Sequence, residues 1–308
     1  MSKMISYWGK GGVGKSTCAA ATALRLAEEG KTLLLSSDPT PSLSELLEEK
    51  LRPKPIKVCD NLWAAEISEE EVISMWKLRF GEEVYRVISS IIPVDRYIID
   101  YIAGAPGISD EFILYYIYTL WNEGDYDFIV WDTAAAGGGL RLLRIERELY
   151  SHLGDAARLY LKLKGFFEKL KRSKEGKDPL ELINEWRTLA EKVLSMMTSD
   201  NHYVYIVTIP EKLGIFVTKK IIEEFNLMNI NPNGLLINMV ERRESCPNCK
   251  PWVLRSIRHE KVVKELLEEL KGKYEVHIIP LLEWEPKGRR NLLKFARLME
   301  IENMIKLS

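Results

Sequence analysis

Short apolar or β-branched runs recur along the chain, and between them apolar residues fall three and four positions apart. The runs at Met4–Trp8, Thr32–Ser36, Leu62–Ile67, Phe128–Asp132, Tyr203–Ile209, Gly234–Val240 and Tyr274–Ile279 read as strands. Helical periodicity fills Ser16–Glu29, Glu69–Ile92, Asp110–Asn122, Leu140–Lys171, Pro179–Met197, Lys212–Met228, Val253–Leu270 and Arg289–Ile305. This alternation predicts an α/β fold with a mainly parallel central sheet and helices on both faces. Ligands of such sheets bind at the carboxyl ends of the strands. Two stretches, about 68–122 and 140–200, exceed what a crossover needs. They are expected to form an inserted α-helical layer on a single domain spanning 1–308, and insertions of this size usually carry function.

Composition narrows the class. The chain has 308 residues, of which 46% are apolar, enough for a large core. Its net charge of −1 argues against nucleic acid as a partner, since a phosphate backbone rewards a basic face. Four cysteines are too few for a disulfide scaffold. The first seven residues run straight into a strand and leave no room for a leader, and no stretch of about 18 apolar residues occurs. The chain reads as soluble and cytoplasmic.

The candidate chemistry begins after the first strand. Gly9-Lys10-Gly11-Gly12-Val13-Gly14-Lys15-Ser16, followed by Thr17, satisfies G-x-x-x-x-G-K-[ST] between a strand and a helix. Glycines at these positions let backbone N–H groups turn inward around a β-phosphate, and the helix start adds partial positive charge. Lys15 is placed for the β- and γ-phosphates and the Ser16 hydroxyl for Mg²⁺, which predicts a P-loop NTPase acting on ATP. Lys10 is a second lysine, more charge than one phosphate chain needs from one loop. Further along, Ser36-Ser37-Asp38-Pro39 closes the second strand, and Asp38 is a candidate to orient the attacking water. Trp131-Asp132-Thr133-Ala134 ends another strand, placing Asp132 as a water-mediated Mg²⁺ ligand ahead of a glycine-rich loop.

The loop G-K-G-G-V-G-K-S-T resembles the deviant Walker A group, which includes MinD and ParA, nitrogenase iron protein, Mrp and ArsA-like ATPases. Nearly end to end, the chain resembles the ArsA-like ATPases, and within them the tail-anchored-protein targeting ATPases. The matching segments include Asn61–Ile67, the D-T-A…L-R-L-L stretch from Asp132, Thr208-Ile209-Pro210-Glu211, Asn238, the Cys246/Cys249 pair and Ile279-Pro280-Leu281-Leu282. The resemblance implies a homodimer in which Lys10 crosses to the partner's nucleotide and Asp38 activates water. It also implies that Asn238 reads the adenine while the Pro280 loop packs on the base. Two departures stand out. Where the family has D-T-A-P-T-G-H-T, this chain has alanines and glycines after Ala134, and Thr40-Pro41-Ser42 replaces a small-His-Asn triplet. Both changes remove polar groups near the γ-phosphate, so hydrolysis is expected to be slow or coupled differently to the partner.

Cys246-Pro247-Asn248-Cys249 supplies two ligands where tetrahedral zinc wants four, and a symmetric dimer completes the set. The resemblance implies that shared Zn²⁺ site, while an iron–sulfur cluster and a metal-free pair remain open. Cys18 and Cys59 read as core fillers. In the second insertion Leu149, Leu153, Tyr160, Leu163 and Phe167 share one helix face. In the first, Ile88, Ile91, Ile98 and Ile102 give another apolar surface. Together they read either as core or as a groove for hydrophobic client helices, and the basic opposite face of the second insertion is suited to phospholipid headgroups or an acidic membrane receptor. Three functions stay open: tail-anchor targeting, an arsenite-pump ATPase subunit, and an iron–sulfur or metal-insertion carrier.

Overall fold

The computed structural model describes residues 2–38, 42–105, 107–134, 178–270 and 272–305. The chain divides into two compact units. A sheet unit takes Met1–Ser68, Leu120–Leu140 and Thr198–Ser308; a helical unit takes Glu69–Thr119 and Arg141–Met197.

In the sheet unit, eight strands follow the order β3-β4-β2-β5-β1-β6-β7-β8. They are β1 (Lys3–Trp8), β2 (Thr32–Ser36), β3 (Ile56–Cys59), β4 (Leu62–Glu66), β5 (Phe128–Asp132), β6 (His202–Thr208), β7 (Gly234–Val240) and β8 (Glu275–Pro280). All pairs are parallel except β3–β4. Every residue of β2 and β5 is buried, as expected for strands covered on both faces, whose sequences run apolar without alternation. Trp8 anchors one face, meeting Trp131 and Phe225 edge-on at 5.3 and 5.1 Å. Its indole N–H donates to Ser6 Oγ at 2.7 Å, which in turn meets His202 Nε2 at 2.7 Å, so these buried polar groups are satisfied in a chain. On the opposite face, α1 (Lys15–Leu26) joins a core that includes Leu292, Phe295 and Met299.

Several elements differ from the sequence reading. β3 was not expected: four residues, partly exposed, after Pro53 and Pro55, it lacks the run of apolar residues that marks the central strands. It returns antiparallel to β4 through Asp60-Asn61, with Asn61 in the left-handed region. A short helix α2 (Leu43–Leu47) follows β2. The helical reading of Arg289–Ile305 breaks at Glu300, whose φ of 54° separates α9 (Gly288–Met299) from α10 (Ile301–Met304). The remaining helices of this unit are α7 (Lys212–Leu227) and α8 (Lys250–Leu270).

The helical unit contains α3 (Glu69–Ser89), α4 (Tyr97–Ala103), most of α5 (Ile108–Glu123) and α6 (Pro179–Met197). The periodicity at Glu69–Ile92 ends three residues early, and Pro93 follows before α4 starts as a separate turn. The helix read at Leu140–Lys171 lies outside the described residues. Val87 on α3 packs with Leu182 and Ile183 on α6. Burial, with Asp110 adding like-charge repulsion, pushes the Glu111 carboxyl of α5 up to about 7.

Because the folded value lies above the unfolded one, the folded state binds more protons between about pH 4.5 and 7, and Glu111 costs stability progressively across that window as pH rises. Glu111→Gln should match the wild type near pH 4 and be the more stable protein at pH 8, by roughly 3 kcal/mol at most. Urea denaturation at both pH values measures this; an equal pH slope in the two proteins removes Glu111 as its source.

Candidate functional site

The loop Gly9–Gly14 leaves the carboxyl end of β1 and feeds α1, with Gly14 as the N-cap at φ 98°. Two glycines there are dictated by space. A Cβ on Gly9 would sit 2.2 Å from the Val207 carbonyl oxygen, and one on Gly14 would sit 2.5 Å from Asn238 Nδ2. At Gly9 the β6 backbone itself excludes a side chain, and at Gly14 one would meet the Asn238 amide from a left-handed backbone that favours glycine. Gly11 and Gly12 are exposed at the tip, Val13 is buried beneath it, and Lys10 is half-buried on its flank. Ser16 and Thr17 open the helix, both half-buried.

Lys15 is buried, and burial lowers its pKa against the pull of Asp132 and Asp38, the two carboxylates that raise it. Asp132, at the end of β5, is fully buried. Desolvation pushes its pKa up to about 6, Asp38 adds to that, and Ser16, Lys15 and Ser36 pull the other way. Ser36 Oγ donates to Asp132 Oδ2 at 3.2 Å, and Ser36 Oγ also accepts the Asp38 backbone N–H at 3.2 Å. The ends of β2 and β5 are thereby joined, so Asp38 leaves β2 at a fixed point beside Lys15 and Asp132. Trp131 Nε1 adds a bond to Ser37 Oγ at 2.9 Å, and Thr133 Oγ1 donates to the Tyr7 carbonyl at 2.7 Å.

The other oxygen of Asp132, Oδ1, is buried and makes no hydrogen bond among the described residues. An orphaned carboxylate oxygen beside the Ser16 hydroxyl is the donor set that Mg²⁺ takes with a nucleotide, one or two protein oxygens and the rest water and phosphate. The residues present fit that ion.

Sequence reasoning passed over two groups here. Ser42 Oγ donates to Ser16 Oγ at 3.0 Å, bringing the segment after β2 onto the phosphate loop. Glu66, at the end of β4, accepts the backbone N–H groups of Ser42 and Leu43 at 2.8 and 2.9 Å and the Ser44 hydroxyl at 2.6 Å. It is an N-terminal cap supplied from another strand, so no local spacing could reveal it.

Asn238, read as the adenine contact, lies on β7 and is buried. Its Nδ2 donates to the Val13 carbonyl at 2.9 Å, and its Oδ1 accepts the Met239 N–H at 2.9 Å. Asn238 thus ties the phosphate loop to β7. Pro280 ends β8 opposite Val240, and the Leu281 N–H donates to the Val240 carbonyl at 2.9 Å, which sets the Pro280 loop at the carboxyl end of β7.

Cys246 and Cys249 are half-buried on one turn, the Cys249 N–H donating to the Cys246 carbonyl at 3.2 Å. Two thiols on one turn are half of a tetrahedral zinc set, and no group of three or more His, Cys, Asp or Glu residues is gathered for a metal among the described residues. The following helix α8 returns to β7: Arg255 Nε meets Glu241 Oε1 at 3.1 Å, and the Glu241 N–H donates to His259 Nδ1 at 3.2 Å. Cys18 is buried and Cys59 partly so.

In the helical unit, Ile91 packs against the Val87–Leu182–Ile183 cluster, Ile102 lines a cavity, and Ile88 and Ile98 are half-buried. Leu149, Leu153, Tyr160, Leu163 and Phe167 lie outside the described residues, as does the altered loop at 135–140. No described helix is long and apolar enough to cross a membrane.

Asn238→Ala leaves the buried Val13 carbonyl without its donor and frees the loop, so MgATP affinity should fall about tenfold. Isothermal titration measures it; unchanged affinity removes the tether from the site.

The profile of the anion-transporting ATPase family matches residues 2–300. "Putative arsenical pump-driving ATPase 2" of Aquifex aeolicus (strain VF5) is 29% identical, over 97% of this chain and 99% of its own. "ATPase ASNA1 homolog 2" of Paramecium tetraurelia is 28% identical over 96% and 93%, and "ATPase get3" of Pyrenophora tritici-repentis (strain Pt-1C-BFP) 26% identical over 96% and 91%. The chain belongs to the anion-transporting ATPase family and is an ATP hydrolase.

Proposed function

We propose that this member of the anion-transporting ATPase family is a cytoplasmic homodimer that captures the apolar transmembrane helices of tail-anchored proteins and releases them to a membrane receptor. The observation that carries the reading is the joining, in one chain, of a two-lysine phosphate loop to a second compact unit whose described residues are helical. The resemblance to the targeting ATPases supports it over the length of the chain.

In this reading the loop amides and Lys15 bind the β- and γ-phosphates. Ser16 and Asp132 hold Mg²⁺, which when bound neutralises charge on the transferring phosphoryl group. Asp38 takes a proton from water as the water oxygen bonds to the γ-phosphorus and the bond to the β–γ bridging oxygen breaks, leaving ADP and phosphate. Lys10 reaches the partner's nucleotide and makes the ATP state the closed one. The ties from Ser42 and Thr133 to the loop and to β1 carry the change outward when the γ-phosphate leaves. The Cys246 and Cys249 thiols of two chains hold a shared zinc. Ile88, Ile91, Ile98 and Ile102, with the apolar face read at Leu149–Phe167, form the client surface.

Asp38→Asn should keep MgATP binding while turnover falls at least about a hundredfold. Wild-type turnover in that variant removes Asp38 from catalysis. The ATP-loaded variant should also keep a single-helix membrane peptide soluble. A peptide that aggregates in every nucleotide state sinks the targeting role while leaving the ATPase reading intact.

A second reading is favoured by the arsenical-pump name of one relative. Arsenite stimulation of the ATPase would support it. Purified protein should be colourless with one zinc per two chains; visible absorbance from a cluster would replace zinc with iron and sulfur.

A further inference from the structure

The helical unit holds a cavity of about 190 Å³ among α3, α4, α5 and α6. Trp76 and Phe80 from α3, Phe112 and Tyr115 from α5, and Trp186 from α6 are among its walls. A space of this order is large enough for a benzene-sized molecule.

Its walls are fixed in place by a polar clamp. Glu83 accepts from Trp186 Nε1 at 2.8 Å and from Arg79 Nη1 at 2.8 Å. Arg79 Nε donates to the Tyr115 hydroxyl at 3.1 Å, and the guanidinium lies 4.5 Å from the Phe80 ring centroid. Phe80, Phe112 and Tyr115 then pack on one another with centroids 5.0 to 6.2 Å apart. Rings held this way form a preorganised box rather than a collapsible gap.

Glu111 supplies the only carboxyl on the described lining. Its backbone N–H is spent on the Gly107 carbonyl at 2.9 Å in the first turn of α5, and none of the ion pairs among the described residues involves it. Arg79 is already committed to Glu83. A neutral apolar ligand would leave this carboxyl unpartnered, and an anionic one would be repelled. A cation on an apolar body answers both features, since it pairs with the carboxylate and faces the aromatic rings.

We propose that this cavity is a binding site for a small apolar ammonium compound, an aryl- or alkylamine in its protonated form, whose body fills the ring-lined space and whose ammonium pairs with Glu111. The site stands apart from the nucleotide chemistry; it shares Ile102 with the proposed client surface, and its test uses no client.

Titration of the full chain with benzylamine and with toluene, followed calorimetrically, tests it. Wild type should bind benzylamine about tenfold more tightly than Glu111→Gln does, while toluene binds both alike. Ala190, buried on the cavity wall, offers a second variant. Ala190→Leu fills the space and should lose both ligands while ATPase activity persists. Equal benzylamine affinity in wild type and Glu111→Gln overturns the ammonium assignment. Failure of wild type to bind either probe, or undiminished binding by Ala190→Leu, overturns the site itself.

Discussion

The site rests on one steric constraint: the phosphate loop runs so close to its neighbours that glycine alone fits at two points. Gly9 lies against the Val207 carbonyl of β6, and Gly14 against the Asn238 amide of β7. That closeness fixes the path of the loop and lets Asn238 bond to the Val13 carbonyl. With the loop pinned between β1, β6 and β7, the carboxyl ends of β2 and β5 deliver Asp38 and Asp132 to the same lysine. A parallel sheet puts all these strand ends on one edge, which is why residues more than 200 positions apart in sequence meet around one loop.

The electrostatics follow from burial. Lys15 and Asp132 are both nearly or wholly out of water, and each is pushed toward its neutral form by desolvation and back toward its charged form by the other. Two groups so placed are stabilised by what completes them, an anionic phosphate for the lysine and a divalent cation for the carboxylate. Asp132 Oδ1, buried without a hydrogen bond, records the same incompleteness geometrically.

Much of this was legible in the sequence. The loop, its lysines, Asp38 and Asp132 could be read because strand, turn and helix signals bracket them within a few residues. The central strands could be read because burial on both faces leaves unbroken apolar runs such as Leu33–Leu35. What escaped depends on distant partners. The cap from Glu66 and the Ser42–Ser16 contact join separate segments, and β3 is too short and too exposed to carry a pattern. The break at Glu300 hides inside an apolar periodicity that continues through it. The aromatic box around Glu111 was also invisible, because an acid near a helix start reads as an ordinary first-turn residue until burial is known.

The central claim is that two copies of the chain build each working nucleotide site, one giving Asp38 and the other Lys10. Mixing two inactive variants tests it most directly. Lys10→Ala and Asp38→Asn chains, combined and allowed to exchange, form heterodimers with one site holding both residues. The account predicts ATPase activity rising to about a quarter of the wild-type rate in an equal mixture, since half the dimers are mixed and each has one intact site. Activity that stays at the average of the two parents would contradict it and return Lys10 to the chain that carries it.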